Sequence, residues 1–323
     1  MAKLNMVEAI NLALKQEMKK DKTILIIGED VGVDGGVFRV TEGLLKLYPG
    51  RVFDTPLAES AIVGTSIGLA CSGFKPVAEI QFEGFTLSAF DQIVNHAARI
   101  RNRSRGRFTV PMVIRSPIGG GIKALEHHSD SPETYYVHTP GIKVVIPATP
   151  YDAKGLLISA IRDPDPVIFF EPKRIYRAIK QEVPEKEYSI PLGKARLVQE
   201  GTDLTLISYG ATVRECEQAA ELLKDHVSIE IIDLRTLSPL DTETILASVQ
   251  KTGRVVIAHE AQRTLGMASE IIARIQEQAL LYLKAPIERV TGYDIIVPLP
   301  KLEEWYFVDE KRIAEAIEKV MNF

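Results

Sequence analysis

Short apolar runs rich in β-branched residues alternate along this chain with segments whose apolar positions recur at helical spacing. In the first part, the runs 24–27, 77–82, 110–115, 143–146 and 167–170 predict strands, and helices fit at 4–20, 56–71, 87–102 and 151–161. Thr149-Pro-Tyr-Asp152 is a good helix start, with a hydroxyl residue ahead of a first-turn proline and an acid at the third position. Pro and charged residues then crowd 173–188, which reads as a linker. A second alternating unit follows, with strands at 204–208, 228–233, 255–258 and 287–290 and helices near 212–224, 241–250, 267–281 and 310–321. Near-continuous apolar strands separated by helices imply parallel sheets covered on both faces. The expectation is an α/β protein of two domains, 1–187 and 188–323.

Composition narrows the function classes. The 323 residues suit about two domains, and a net charge of -4 points to neither nucleic acid nor an anionic membrane surface. No apolar run reaches the ~18 residues needed to span a bilayer. Cys71 and Cys216 lie in apolar helical patterns, cannot form a disulfide framework, and fit a reducing compartment. At the N-terminus Asn5 and Glu8 form a capping pair, and Leu4, Val7, Ile10, Leu14 and Met18 repeat at helical spacing. The segment is therefore a helix rather than a signal peptide, and the protein is read as soluble and cytoplasmic.

Candidate chemistry centres on Glu59, in Phe53-Asp-Thr-Pro-Leu-Ala-Glu-Ser60. Thr55 and Pro56 suggest a helix start, and the small and aliphatic residues from Ala61 to Ala70 leave little polar surface for water. A carboxylate leading into so apolar a helix is expensive to ionise and is a candidate acid or base; a first-turn Glu favoured by the helix dipole fits the same residues. Gly119-Gly-Gly121 with Ala124 formally matches a dinucleotide pattern, but Pro132 and several cap-type residues follow where a long helix would be needed. The glycines suit a tight turn or a close backbone approach. His127 and His128 have no Cys and no well-spaced His to complete a metal set; in a polar loop after a strand, either reads as a proton donor or as an exposed loop residue. Arg99, Arg101, Arg103, Arg105 and Arg107 suit a helix end and its solvated loop, and docking of an acidic partner fits them too. Asp163-Pro-Asp165 is a turn that can also aim carbonyls at a cation.

Taken together, Gly28-Glu-Asp-Val31, Phe53-Asp-Thr-Pro-Leu-Ala-Glu59, Glu79-Ile-Gln-Phe82, Arg115-Ser-Pro117, His128-Ser129, Tyr151-Asp-Ala-Lys-Gly-Leu156 and Asp233-Leu-Arg-Thr236 resemble the beta subunit of the thiamine-diphosphate-dependent decarboxylase component of 2-oxo acid dehydrogenase complexes. The likeness runs in order over nearly the whole chain. It implies a pyrimidine-type thiamine-diphosphate-binding domain followed by a transketolase C-terminal-like domain. It also implies that Glu59 protonates the cofactor's aminopyrimidine ring, that Phe85 stacks on that ring with Leu57 and Gln81 beside it, and that His128 serves acyl transfer to a lipoyl arm. Gly64 and Gly68 match glycines where helices cross closely at the subunit interface, with Thr65 in place of the usual apolar residue. A structural potassium would be held by carbonyls of Met112, Ala160, Ile161, Asp163 and Asp165, the last standing where some relatives carry asparagine.

One pattern of that family is missing. The Gly-Asp-Gly and paired-asparagine signature that holds magnesium and the diphosphate occurs nowhere in the chain. The resemblance thus implies half a site, completed by an alpha subunit in an assembly of two alpha and two beta chains that serves a lipoyl acyltransferase core. Phe169-Phe-Glu-Pro-Lys173 and Ala285-Pro-Ile-Glu-Arg-Val-Thr-Gly-Tyr293 look most like branched-chain members, with pyruvate as the alternative substrate. A transketolase-like half-enzyme and a scaffold subunit with a vestigial pocket are the other readings.

Overall fold

A computed structural model describes residues 1–323. Seven strands form the first sheet, in the spatial order Thr236–Ser238, Lys143–Val145, Val167–Pro172, Val113–Ile118, Lys75–Glu79, Ile24–Gly28 and Val52–Asp54. All pair in parallel except Thr236–Ser238, which runs antiparallel to Lys143–Val145. Five strands form the second sheet, in the order Glu288–Gly292, Val255–Gln262, Leu204–Ser208, Ile229–Asp233 and Arg196–Gln199; only the last is antiparallel. Both are the helix-covered, mostly parallel sheets that the apolar strand runs imply.

Three apolar cores hold the layers together. One packs the helices Met6–Lys20 and Pro150–Arg162 on the first sheet, through residues such as Ile10, Leu14, Leu157 and Ile161. Another packs Thr212–Leu223 and Glu310–Met321 on the outer face of the second sheet. The largest is shared: Ile62, Ile80, Ile114 and Phe170 from the first half cluster with Ile207, Ile232, Met267 and Ile271 from the second. The strand Thr236–Ser238, contributed by the second half to the first sheet, joins the units further. No helix is long and apolar enough to cross a membrane.

Several sequence expectations change. The 4–20 helix begins at Met6, because Asn5 and Glu8 form a reciprocal capping box. The 87–102 helix is instead a 3-10 turn at Glu83–Ala89, a π turn at Gln92–Ala97 and a short α-helix at Ile100–Arg103. The 77–82 strand ends at Glu79, which frees Gln81 and Phe82 from the sheet. The 173–188 linker is a packed strap. Ile175 and Tyr176 are buried, Gln181–Val183 pairs antiparallel with Ala2–Leu4, and Tyr188 stacks on Tyr151 at 4.6 Å between ring centroids. Charged residues there mark one wetted face, while its aromatics and aliphatics anchor the other.

Candidate active site

Parallel strands deliver their carboxyl ends to one edge of a sheet, where ligand sites form in such folds. Here Ile24–Gly28 runs into Glu29 and Asp30, and Val52–Asp54 into Leu57 and Glu59. Lys75–Glu79 runs into Gln81, Phe82 and Phe85, Val113–Ile118 into the loop carrying His127 and His128, and Val167–Pro172 into Lys173. From Ile24–Gly28 the chain goes to one side for Val52–Asp54 and returns on the other for Lys75–Glu79. That reversal is a topological switch point at the paired strand ends Gly28 and Glu79, just beyond which Gln81 donates to Asp30 Oδ2 at 3.2 Å.

Glu59 is the first residue of the helix Glu59–Cys71 and is 9% exposed. Thr55 does not cap this helix. Its N–H donates to the Gly28 carbonyl, its hydroxyl is buried without a partner, and Ala58 in the cap position supplies no side-chain bond. The turn through Pro56 and Leu57 therefore lies outside the helix, and Glu59 sits at the positive end of the helix dipole. Glu29 belongs to the same acidic group. Its carboxyl is held above the usual range by burial, and then by the charges of Asp30 and Glu59. Leu57 is 68% exposed, so its side of any pocket stays open in the single chain.

Ser60 ties the first turn of this helix to the Glu83–Ala89 segment by donating its hydroxyl to the Ser88 carbonyl. Phe85, on that segment, meets Phe82 edge-on at 5.9 Å and His128 at 5.1 Å between centroids. His128 lies closer still to Phe82, at 4.4 Å, and its Nδ1 is buried without a hydrogen-bond partner. His127 is exposed, with Nδ1 3.7 Å from Asp130. Burial, followed by the charges of Lys173 and His127, holds His128 below the usual imidazole range, so it is neutral at neutral pH. Lys173 forms a fully buried ion pair with Glu83 at 2.6 Å, and its ammonium lies 5.4 Å from the centre of the Phe82 ring.

Glu29, Phe82, Glu83 and Lys173 join the site without a role legible in the linear chain. A strand-end position was the available signal for Glu29, Phe82 and Lys173, whereas the pairing of residues 83 and 173 required the sheet order.

The remaining expectations map to other places. Asp163 and Asp165 close the helix Pro150–Arg162 as a turn in which Asp165 N–H donates to Asp163 Oδ1. Lys143 pairs with Asp163 at 2.6 Å, and Arg101 pairs with Asp165 at 2.9 Å. Met112 is joined to this turn because its carbonyl accepts from Val167 N–H. Both carboxylates are thus engaged by basic side chains, and the Ala160 carbonyl accepts from Asp163 N–H at 3.3 Å. No group of three or more His, Cys, Asp or Glu side chains is placed to hold a metal ion. A cleft of about 1630 Å³ opens between the two halves beside Tyr135, Leu240 and Met267; Glu59, Phe85 and His128 are not in its lining. Volume alone does not mark the chemistry.

The residues at the sheet edge suit one half of thiamine diphosphate. An acid at a helix start, a second carboxyl made reluctant to ionise, and an aromatic against a neutral imidazole match a protonatable heterocycle. They offer nothing comparable to a diphosphate.

Two family models cover most of the chain: "Transketolase, pyrimidine binding domain" over residues 2–179 and "Transketolase, C-terminal domain" over 193–313. The pyruvate dehydrogenase E1 component subunit beta of Acholeplasma laidlawii is 56% identical over 322 residues, covering 99% of this chain and 98% of that protein. Its namesake from Bacillus subtilis (strain 168) is 53% identical over 325 residues, with both chains fully covered. Among solved structures, a split-gene transketolase described as an inactive beta4 tetramer superposes with a TM-score of 0.82 at 22% identity, covering 99% of each chain. A transketolase from Pichia stipitis gives 0.72 at 15% identity, with this chain spanning 46% of its length. At those identities the structural likeness concerns the fold.

The branched-chain likeness gains no support from these relatives. The segments that suggested it are framework: Phe169, Phe170 and Glu171 are fully buried in the first sheet, and Glu288–Gly292 is a strand of the second.

Proposed function

Because the chain belongs to the beta subunits of the thiamine-diphosphate-dependent E1 components of 2-oxo acid dehydrogenase complexes, we propose that it supplies the acid–base half of a shared site that decarboxylates pyruvate and passes the acyl group to lipoyl-lysine. When bound, thiamine diphosphate supplies the electron sink for loss of carbon dioxide. Glu59 would hold a proton at the aminopyrimidine ring nitrogen from its place at the start of the helix Glu59–Cys71. Phe85 would stack on that ring, with Leu57 and Gln81 bounding it. His128, neutral and packed on Phe82 and Phe85, would hold or move the proton exchanged during acyl transfer to the lipoyl arm.

The alpha subunit would grip the diphosphate through magnesium, in an assembly of two alpha and two beta chains docked on the acyltransferase core in the cytoplasm. The domains would divide at 187–188. Carbonyls of Met112, Ala160, Ile161, Asp163 and Asp165 would hold a structural potassium. Pyruvate, rather than a branched-chain 2-oxo acid, follows from the names of relatives more than half identical to this chain.

The observation that carries this reading is that Glu59, Phe85 and His128 follow the carboxyl ends of three strands of one sheet, with Phe85 against His128 at 5.1 Å and the Glu59 helix tied to the Phe85 segment through Ser60. Its test is co-expression with the alpha chain and assay against a panel of 2-oxo acids. Pyruvate should be turned over fastest, and Glu59→Gln should reduce decarboxylation on the order of 100-fold or more while the complex still assembles. Near-normal turnover by that variant would remove Glu59 from the chemistry, and a branched-chain optimum would reverse the substrate assignment.

A further inference from the structure

The glycine run Gly119–Gly121, suited by sequence to a tight turn or a close backbone approach, has a more definite use. Left-handed backbone recurs at every second residue, at Gly119 (φ 78°), Gly121 (φ 88°) and Lys123 (φ 58°). Such alternation turns successive N–H groups toward one concavity, a nest that binds anions. Two carboxylates from the second half of the chain occupy it. Glu260 Oε1 accepts from Gly120 N–H at 2.7 Å, and Glu303 accepts from Gly121 N–H at 2.8 Å and from Lys123 N–H at 3.0 Å.

Charge-assisted bonds of this kind are the stronger class, and Glu303 is only 1% exposed. The packing crowds the glycine positions of the loop. A Cβ on Gly120 would stand 2.5 Å from the Phe307 ring, and one on Gly121 would stand 2.6 Å from the Arg174 side chain. Arg174 in turn pairs with Glu215 at 2.7 Å and with Glu260 at 3.5 Å.

The loop held in this way is closed on itself by Gly119 N–H donating to the Asp130 carbonyl, and His128 lies within it. His128 N–H donates to the Leu125 carbonyl, and its imidazole, five residues after the clamped stretch ends at Lys123, lies against Phe82 and Phe85. Lys123, a residue with a Cβ, is kept in left-handed backbone at a cost of about 1 kcal/mol, and the Glu303 bond to its N–H opposes relaxation.

We infer that Glu260 and Glu303 are positioning residues of the second domain: by filling the nest at Gly119–Lys123 they fix the His128 loop for acyl transfer, and they leave the Glu59 chemistry alone. The functional half of this inference rests on the role given to His128 above.

The test uses the assembled alpha–beta complex with Glu303→Gln and, separately, Glu260→Gln, each alongside His128→Ala. Hydrogen exchange of peptides covering 119–128 reads the loop directly, while paired assays compare reductive acylation of a lipoyl domain with decarboxylation to an artificial electron acceptor. Glu303→Gln should accelerate exchange across 119–128 and lower acylation about tenfold, since small misplacements of a reacting group are costly, with decarboxylation held within about twofold. Unchanged exchange in both variants, or faster exchange with an unchanged ratio of the two activities, would overturn the inference. If His128→Ala lowers both activities equally while Glu303→Gln still loosens the loop, the clamp stands and the assignment of His128 fails.

Discussion

Arg115 is the largest side chain closed off from solvent, and its surroundings show how charge is tolerated beneath the site. It bonds Glu171 through Nε and Nη2 at 2.7 and 2.8 Å and Glu79 through Nη1 at 2.7 Å, while Tyr176 donates to Glu171 at 2.7 Å. Burial raises the Glu79 carboxyl, and the Arg115 charge draws it back. Removing the cation leaves two carboxyls without compensation, so Arg115→Met should destabilise the chain by about 3–5 kcal/mol in urea unfolding. A loss below about 1 kcal/mol would mean that the carboxyls already carry protons. The same logic explains why Lys173 and Glu83 can be sealed under Phe82. Burial pushes the Glu83 carboxyl up, and the charge of Lys173 opposes that rise.

At the scale of elements, the helix Glu59–Cys71 has two jobs that its sequence does not separate. Ile62, Val63, Ser66, Ile67 and Ala70 face the shared core, whereas Ala61, Thr65 and Gly68 lie open. A Cβ at Gly68 would touch nothing within 4 Å, so no neighbour inside this chain requires the glycine. Glycine costs about 1 kcal/mol in a helix interior, and an unneeded one points to close approach from outside. Gly68→Leu should leave the melting temperature of the isolated chain unchanged or raise it, yet reduce recovery of the complex with the alpha chain at least tenfold. Full assembly by that variant would remove this face from the interface. If that assembly fails, the open stripe also accounts for the helix lacking a clean apolar side in the sequence, one face packing on the core and the other on a partner.

For the whole molecule, the seam between the halves sets a pH dependence. Glu133 is fully buried, accepts from the Tyr209 hydroxyl at 2.7 Å and is pushed up to about 7, first by burial and further by the charge of Glu260. The folded chain therefore keeps this proton over the range from about 4.5 to 7, where the unfolded chain releases it. Stability from this group is full below 4.5 and is lost as pH rises through 7. His259, stacked on Tyr209, acts on the other side. Burial lowers it to about 4, so its contribution is present above the unfolded value near 6.5 and is lost as pH falls toward 4. Glu133→Gln keeps an acceptor for Tyr209 and removes the titration, so its gain in melting temperature over the natural chain should be larger at pH 8 than at pH 5. An equal gain at both would exclude Glu133 as the titrating group.

Strand runs, helix faces and the Asn5–Glu8 box are local: each depends on side-chain period or on a bond three residues away, and a linear chain displays both. Glu59 could be singled out as an acid ahead of an apolar helix for the same reason. What the linear order hides is the sheet order, and most of the site depends on it. Only when Ile24–Gly28 lies between strands that follow it in sequence does Glu29 come beside Glu59. Only the placing of Val167–Pro172 beside Val113–Ile118 brings Lys173 under Phe82 and the His128 loop. The carboxylates on the glycine nest come from 140 and 180 residues further on. Pairings at such separations are selected by how whole layers bury apolar surface, a property of the packed molecule rather than of any segment within it.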